Sequence, residues 1–509
     1  MTSALLCPEL VLRGHDSEPE PGLAVLVSGA HIAAIAPVAT LLAQAPDAAR
    51  IDLPRRLLMP GFVNAHQHGR GISQIQLGYP DQRLELWMAQ RRSRGAPGIH
   101  AIGLLAAAEM LRNGVTCAVH ADLAYGTGDY EAELHACVAA YDESGLRACV
   151  AVGVCDQGAI VFPQSMEAAF LASLPSHLRE HLAAETDPPY ADGWAATAAL
   201  MDRLMANHAG HADPQRLSWC YGPSGPQWVT DESFRLVAAD AQRRGLNLHI
   251  HAMETVAQFE ACRRLYPEGM VRHLRELGAV GPRTVFAHGV FLTDDDLDVI
   301  AECGAMVATN PGSNLRLCDG TARLHELLAR GIRVGVGSDN STLMDDEDLL
   351  SEARVASRLV GRRNWRTPDR ASARQVIEML TTGGAAVAGF DGRIGRVVEG
   401  WCADLVALSL DGARGAYLDE DMPLLEAVVA RSRGSDVRLT MVAGRVLYHE
   451  GRFPQLDIAQ VQREAAEAAR RARVPDDPVE VAVTEELKPH LARFYSELTR
   501  DTRFPDGLS

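Results

Sequence analysis

Two histidines one residue apart, His66 and His68, close the run Pro60-Gly61-Phe62-Val63-Asn64-Ala65-His66-Gln67-His68. An apolar run, Leu57-Leu58-Met59, leads into it, and the two read together as a short buried strand ending in His-x-His. Alternation along a strand puts residues i and i+2 on one face, so both imidazoles can aim at one point. Neutral imidazole is the commonest side-chain metal ligand. Three later stretches carry groups of the same chemical kind: His249-Ile250-His251-Ala252-Met253-Glu254, Ala287-His288-Gly289 and Gly337-Ser338-Asp339-Asn340. Each alone is ordinary. An aspartate after Gly-Ser can simply cap a helix, and His249, a step deeper than His251, reads as a hydrogen-bonded core residue. The question is whether the fold brings these stretches to one place.

Apolar strand-like segments at residues 115–121, 148–154, 217–221, 246–251, 284–288, 305–309 and 332–337 alternate with amphipathic helical stretches. With the first strand they make eight β-then-α units over residues 60–390, the pattern of an α/β fold of the (β/α)8 TIM-barrel type. In such a barrel the C-terminal ends of all strands converge on one mouth. His66, His68, His251, His288 and Asp339 all fall at strand ends, and can therefore share a site. His120, ending strand two, is a further candidate for the pocket wall. Residues 1–59 and 391–455 are rich in short β-runs and read as one small β-sandwich domain built from both chain ends. Residues 69–98, and residues 157–215 with their Pro188-Pro189 pair, are long excursions expected over the barrel mouth. Residues 456–509 read as a helical extension packed on the outside or on a neighbouring subunit.

The segments Pro60–His68, His251-Ala252-Met253-Glu254-Thr255, Ala287-His288-Gly289 and Gly337-Ser338-Asp339 resemble the amidohydrolase superfamily, in its cytosine deaminase and triazine (atrazine) chlorohydrolase branch. Asn310-Pro311-Gly312-Ser313-Asn314-Leu315-Arg316-Leu317 and the turn Gly400-Trp401-Cys402-Ala403-Asp404-Leu405-Val406 add to the likeness, which runs from about residue 5 to 455. The resemblance implies that His66, His68, His251 and Asp339 bind one divalent metal. It implies Asp339 as base, Glu254 as proton shuttle and His288 as the group that polarises the electrophile. Three neutral imidazoles and a carboxylate leave a position open for water, whose pKa a catalytic metal lowers toward neutrality. Zinc suits these ligands, and Fe2+ does as well. The chain has one lysine, Lys488, far outside the barrel. A binuclear centre bridged by a carboxylated lysine is therefore excluded, and a mononuclear one is expected.

The expected activity is hydrolysis of a C–N bond by metal-activated water, as in deamination of an amino-substituted N-heterocycle with release of ammonia. The alternative uses the same machinery on an amide or urea, or displaces an amine or halide from a ring. A non-catalytic barrel would be expected to lose ligands or Glu254, and all are present. Substrate contacts are expected from the βα loops: Gln67, Arg70, Gln74, Tyr79 and Trp87 after strand one, Asp156 after strand three, Ser224 and Trp228 after strand four, Asn314 after strand seven, and Asn340. Many deaminases of this branch carry glycine where Asn340 stands. A side chain there narrows the pocket or orients Asp339, and counts against an ordinary nucleobase or nucleoside substrate.

The bulk properties agree. A net charge of −17 disfavours nucleic-acid and anionic-membrane partners. No apolar run approaches the length of a membrane span, and the N-terminus is not patterned as a signal peptide. Ten cysteines without C-x-x-C pairs fit small buried hydrophobes in a reduced compartment. A soluble, cytoplasmic enzyme is expected, with a small-molecule substrate, no nucleic-acid or membrane partner, and a homodimeric state.

Overall fold

The computed structural model describes residues 3–91, 98–121, 124–125, 127–183, 190–209, 215–359, 370–473 and 478–504. Eight parallel strands form the centre: β1 (Phe62–Gln67), β2 (Val115–His120), β3 (Arg147–Val154), β4 (Leu217–Pro223), β5 (Asn247–Ala252), β6 (Thr284–His288), β7 (Met306–Thr309) and β8 (Arg333–Val336). They pair in sequence order. A parallel bridge between Gln67 and Asp339 brings β8 back to β1, where the Asp339 N–H donates to the His66 carbonyl at 2.8 Å. The strands are buried along nearly their whole length. That is why they read as unbroken apolar runs rather than alternating ones.

The far end of the barrel is closed by the segment after the last barrel helices. Asn247, at the start of β5, donates to the carbonyls of Ala386 and Val387 at 3.3 and 3.0 Å. Arg147, at the start of β3, lies over the Phe390 ring at 5.0–5.1 Å together with Arg393. Cys117, Cys149 and Cys220 belong to the small-residue core packed against this plug, and their thiols are free.

Both chain ends supply a second eight-stranded sheet. Its order is Arg445–His449, Val437–Val442, Leu405–Ser409, Ala49–Pro60, Ser3–Val11, Leu23–Ser28 and His31–Pro37, with Glu20–Pro21 beside Ser3–Val11. It encloses an apolar core of its own, including Leu6, Val25, Leu58, Leu405 and Met441. Here the expected first strand is divided. Leu57, Leu58 and Met59 pair with Leu408, Ala407 and Val406 in the end sheet, and only Phe62–Gln67 belongs to the barrel. The break falls at Gly61, where a Cβ would stand 2.2 Å from the Thr116 side chain. The two bodies are joined by a buried ion pair: Arg147 donates to both oxygens of Asp404 at 2.7 and 2.9 Å, and Asp404 also accepts from the Ala443 N–H.

The C-terminal extension divides in two. Ile458–Arg473 packs outside the barrel, with Val461 and Ala465 against Leu104 and Leu105 of the helix Ile99–Arg112. Pro478–Leu498 does something else: its stripe Leu487, Leu491, Tyr495 and Leu498 covers loops at the mouth of its own barrel. The sequence-based expectation placed the whole extension outside or on a second subunit. It had no way to see that these apolar positions match an apolar patch built by the excursion after β3. Pro188-Pro189 of that excursion lies outside the described residues. No helix among the described residues is long and apolar enough to cross a membrane.

Candidate active site

The five strand-end groups converge. Nitrogens of His66 and His68 and a carboxylate oxygen of Asp339 lie within 4.8 Å of one another, as do donor atoms of His66, His251 and His288 and of Glu254, His288 and Asp339. His66 Nε2 is 3.3 Å and His68 Nε2 2.9 Å from Asp339 Oδ1. The His251 ring centroid is 4.8 Å from that of His66 and 5.6 Å from that of His68. Backbone geometry aims two of these side chains. His288 and Asp339 adopt left-handed φ of 72° and 53°, a conformation that costs a non-glycine residue of order 1–3 kcal/mol and persists only where the surroundings enforce it. Beside them Gly337 is obligatory: a Cβ there would lie 2.6 Å from the His66 carbonyl oxygen and 2.5 Å from Asn310 Oδ1.

A second tier of groups orients the first. His66 Nδ1 is 2.8 Å from His249 Nε2, so His249 is a buried neighbour that fixes the His66 ring. His68 Nδ1 bonds the Ala121 carbonyl. A carbonyl only accepts, so Nδ1 carries the proton and Nε2 of a neutral ring carries a lone pair. Burial, opposed by Asp339, holds His68 below the ordinary histidine range and pulls His66 to about 4. Burial pushes the Asp339 carboxyl up, but the neighbouring His66 and His68 rings outweigh it and hold it well below the usual carboxylate range. A neutral imidazole lone pair thus faces an ionised carboxylate at 2.9 Å, an arrangement that calls for a cation between them. His66 Nε2, buried without a hydrogen-bond partner, points the same way. The donor set fits a divalent metal.

Asp339 Oδ2 accepts from Ser313 Oγ and, at 3.2 Å, from Asn340 Nδ2. Asn340 therefore turns its amide onto Asp339. His288 Nδ1 lies 2.9 Å from Asn314 Oδ1 and 3.6 Å from Glu254 Oε1, while its Nε2 is buried without a partner. Glu254 is positioned by Gln258, whose side chain accepts from the Glu254 N–H at 2.7 Å. Burial pushes the Glu254 carboxyl up to about 7, against the pull of His288. Asp319, which belongs to no motif, is buried nearby with Oδ2 unpartnered. Burial, and then the charges of Glu254, Glu85 and Asp339, push it up to about 11. No local pattern marks it; only packing puts it beside the other carboxylates.

The expected loop residues separate into groups. Arg70 stacks on Trp87 with its Cζ 5.0 Å from the ring centroid, and its Nε and Nη2 are buried with no partner. Tyr79 and Trp87 form an apolar wall with Leu317. Trp228 packs edge-on against Phe162. Gln67 is spent on structure: Nε2 donates to the Tyr141 hydroxyl at 2.8 Å and Oε1 accepts from the Gly69 N–H. His120 likewise bonds the Tyr141 hydroxyl through Nδ1 at 2.8 Å. Gln74 is buried, and Ser224 continues the β4 end with its N–H on the Val154 carbonyl. Asp156 accepts from the Thr230 N–H and hydroxyl and from Ser233 Oγ at 2.7–2.8 Å. It secures the start of the helix Asp231–Arg244, because a loop carboxylate beside orphan helix N–H groups is drawn to them.

Comparison with known proteins places this arrangement in context. A model described as the amidohydrolase family matches residues 57–447. A curated 5-methylthioadenosine/S-adenosylhomocysteine deaminase of Nitratidesulfovibrio vulgaris is 30% identical over 457 residues, covering 88% of this chain and 92% of that protein. A 5'-deoxyadenosine deaminase of Methanothermobacter thermautotrophicus is 30% identical, covering 86% of this chain and 92% of its own. Among solved structures, a zinc-bound adenosine deaminase of Xanthomonas campestris superposes with a TM-score of 0.75 at 24% identity, covering 93% of this chain and 99% of its own. A zinc-complexed atrazine chlorohydrolase of Arthrobacter aurescens gives a TM-score of 0.75 at 21% identity, covering 92% and 100%.

Proposed function

The chain belongs to the amidohydrolase family, and from that premise we propose that it deaminates an amino-substituted N-heterocycle of the aminopurine type, releasing ammonia. The observation that carries the reading is the pairing of Glu254 with His288 beside the His66–His68–Asp339 cluster. Deamination needs a group that gives and takes a proton at the same pH. A carboxyl pushed up to about 7 does that, and one in water does not. His66, His68, His251 and Asp339 would hold one divalent ion. Zinc is the proposed metal, supported by the imidazole–carboxylate donor set and by the two zinc-bound structural relatives. Such an ion supplies a water acidic enough to ionise near neutral pH.

The residues of the chain do the rest. Asp339, ionised and held by Ser313 and Asn340, takes the proton of the attacking water. Glu254 carries a proton to the departing nitrogen. His288, held at Nδ1 by Asn314, presents Nε2 to the ring, and a proton on Nε2 stabilises the negative charge that develops there. The adenine-type ring is supported by relatives named as deaminases of adenine nucleosides. The contact of Asn340 with Asp339 supports the reading that its side chain orients that carboxylate. We place the enzyme in the cytoplasm, as a homodimer with no nucleic-acid or membrane partner, consistent with its charge and free cysteines.

The test is ammonia release from zinc-loaded protein across aminopurines, aminopyrimidines, pterins, aminotriazines, ureas and amides, with chelated protein as the blank. Ammonia from a purine ring, lost on chelation, is expected. An amine or halide without ammonia would move the reaction to amide, urea or ring-substituent hydrolysis.

A further inference from the structure

The excursion after β1 reaches the opposite side of the barrel. Its helix Leu84–Arg91 carries Glu85, and Glu85 Oε1 accepts from Thr255 Oγ1 at 2.6 Å. Thr255 caps the helix that follows β5. The eight strands pair in sequence order and return to β1, so β5 lies four strands from β1 in either direction. A bond between Glu85 and Thr255 therefore spans the mouth. The excursion has other anchors as well. Tyr79 and Trp87 pack on Leu317, and Arg316 Nε lies 3.2 Å from both carboxylate oxygens of Asp81. Arg316 Nη1 continues to the Thr342 carbonyl and to Asp345 Oδ1, each at 3.0 Å. None of these contacts involves Glu85.

What Glu85 adds is a hold on the turn that delivers Glu254. Met253, between His251 and Glu254, adopts a left-handed φ of 53°, which a non-glycine residue keeps only where its surroundings enforce it. Three hydrogen bonds run in series from that turn. The Glu254 N–H donates to Gln258 Oε1 at 2.7 Å, and the Gln258 N–H donates to Thr255 Oγ1 at 3.0 Å. Thr255 Oγ1 in turn donates its single proton to Glu85. A hydroxyl has one proton and two lone pairs. Fixing the proton on the Glu85 carboxylate leaves a lone pair aimed at the Gln258 N–H. Thr255 and Gln258 are both buried, so water does not compete for these bonds. The Gln258 side chain is braced at its other end, where Nε2 donates to Gln227 Oε1 at 2.8 Å.

We infer that Glu85 is a positioning residue: seated across the mouth, it locks Thr255 and, through Gln258, holds Glu254 in place for proton transfer. The β1 excursion thereby sets the geometry of a group delivered by the opposite strand. The inference rests on the deaminase reading for the part Glu254 plays; the coupling of Glu85 to the Glu254 turn rests on the bonds alone. Glu85 acts through Thr255 and Gln258 and does no chemistry itself.

Full-length zinc-loaded protein is compared as wild type, Glu85→Ala, Glu85→Gln, Thr255→Val and the double variant Glu85→Ala/Thr255→Val. Amide hydrogen exchange read by mass spectrometry follows the turn without any substrate. In Glu85→Ala the peptide carrying the Glu254 and Gln258 amides should exchange about fivefold faster or more, the effect of losing one hydrogen bond from a buried series. Ammonia release from adenosine follows the reaction: kcat should fall about 10- to 100-fold with KM within about twofold, the mark of a misplaced group and not of weaker binding. Glu85→Gln keeps the acceptor oxygen and should bring exchange and kcat back to within about threefold of wild type. Once Thr255→Val has removed the hydroxyl, Glu85→Ala should cost nothing further. The comparison of Glu85→Gln with Glu85→Ala keeps the test valid if Thr255→Val fails to fold. Unchanged exchange in Glu85→Ala, a rise in KM alone, no rescue by Glu85→Gln, or additive losses in the double variant overturns the positioning role. Faster exchange in Glu85→Ala, with no ammonia from adenosine even in the wild type, overturns the purine deamination reading alone. Faster exchange with an undiminished kcat overturns the positioning role and leaves deamination standing.

Discussion

Lone pairs and protons at a few atoms decide the chemistry of this site. His68 is informative because the Ala121 carbonyl fixes which nitrogen holds its proton. His249, its Nε2 2.8 Å from His66 Nδ1, fixes the orientation of the His66 ring. Replacing His249 by alanine should lower zinc affinity about 10- to 100-fold with His66, His68, His251 and Asp339 unchanged, as loss of an orienting partner does; competition with a calibrated chelator measures this. Glu254 makes a different prediction, since its nearest partner is His288, 3.6 Å away. Glu254→Gln should retain a full equivalent of zinc by elemental analysis while ammonia release falls about 10²- to 10⁴-fold, the contribution of a positioned proton carrier. Zinc loss in that variant would make Glu254 a ligand instead.

At the scale of elements, the loop after β7 and the loop after β8 are tied to one carboxylate. Glu352, on the helix Leu349–Arg358, accepts from the Gly312 N–H at 2.7 Å and the Leu343 N–H at 2.6 Å. Gly312 and Leu343 flank the segments that deliver Ser313 and Asp339. Burial pushes the Glu352 carboxyl up to about 7, from an ordinary 4.5. The folded state therefore holds its proton more tightly than the unfolded state. Its contribution to stability is greatest below pH 4.5, declines as pH rises through about 7, and is flat above that. In Glu352→Gln that part of the pH dependence should vanish. Denaturant melts of wild type and variant between pH 5 and about 8 give the slope; identical slopes would refute the assignment. Loop elements also explain the fates of the other candidates. Asp156 and Gln67 are polar residues near the mouth, but unfilled backbone donors and a buried tyrosine hydroxyl claimed them first.

For the whole molecule, the critical joint is between the barrel and the sheet made by the chain ends. Arg147 and Asp404 are each about 1% exposed and bonded through two nitrogens and two oxygens. Removing one partner leaves a buried charge uncompensated, so Asp404→Ala should destabilise the protein by about 3–5 kcal/mol. Thermal and denaturant unfolding would show it, and a loss below about 1 kcal/mol would mean that water reaches the pair. This joint gives a physical reason for the Gly-Trp-Cys-Ala-Asp-Leu-Val turn: its aspartate fastens a domain and performs no chemistry. The C-terminal helix is the second whole-molecule feature, since it folds back on the loops at the mouth of its own barrel.

The barrel and the convergence of His66, His68, His251, His288 and Asp339 were legible in the sequence. Parallel strands buried on both faces leave long apolar runs, and the strand-end rule assigns each polar residue that follows them to one mouth. The absence of barrel lysine was equally decisive, because composition alone can rule a ligand out. Tertiary structure decided everything that depends on which neighbour arrives first. It split Leu57-Leu58-Met59 from the barrel strand, since a sheet edge at Leu405–Ser409 offered those backbone groups partners. It buried Asp319 among carboxylates, turned Asn340 onto Asp339, and laid Leu491 and Tyr495 beside Trp228. Local sequence carries periodicity and residue chemistry; contacts between segments hundreds of residues apart are set by how apolar surfaces match in space, and that matching has no local signature.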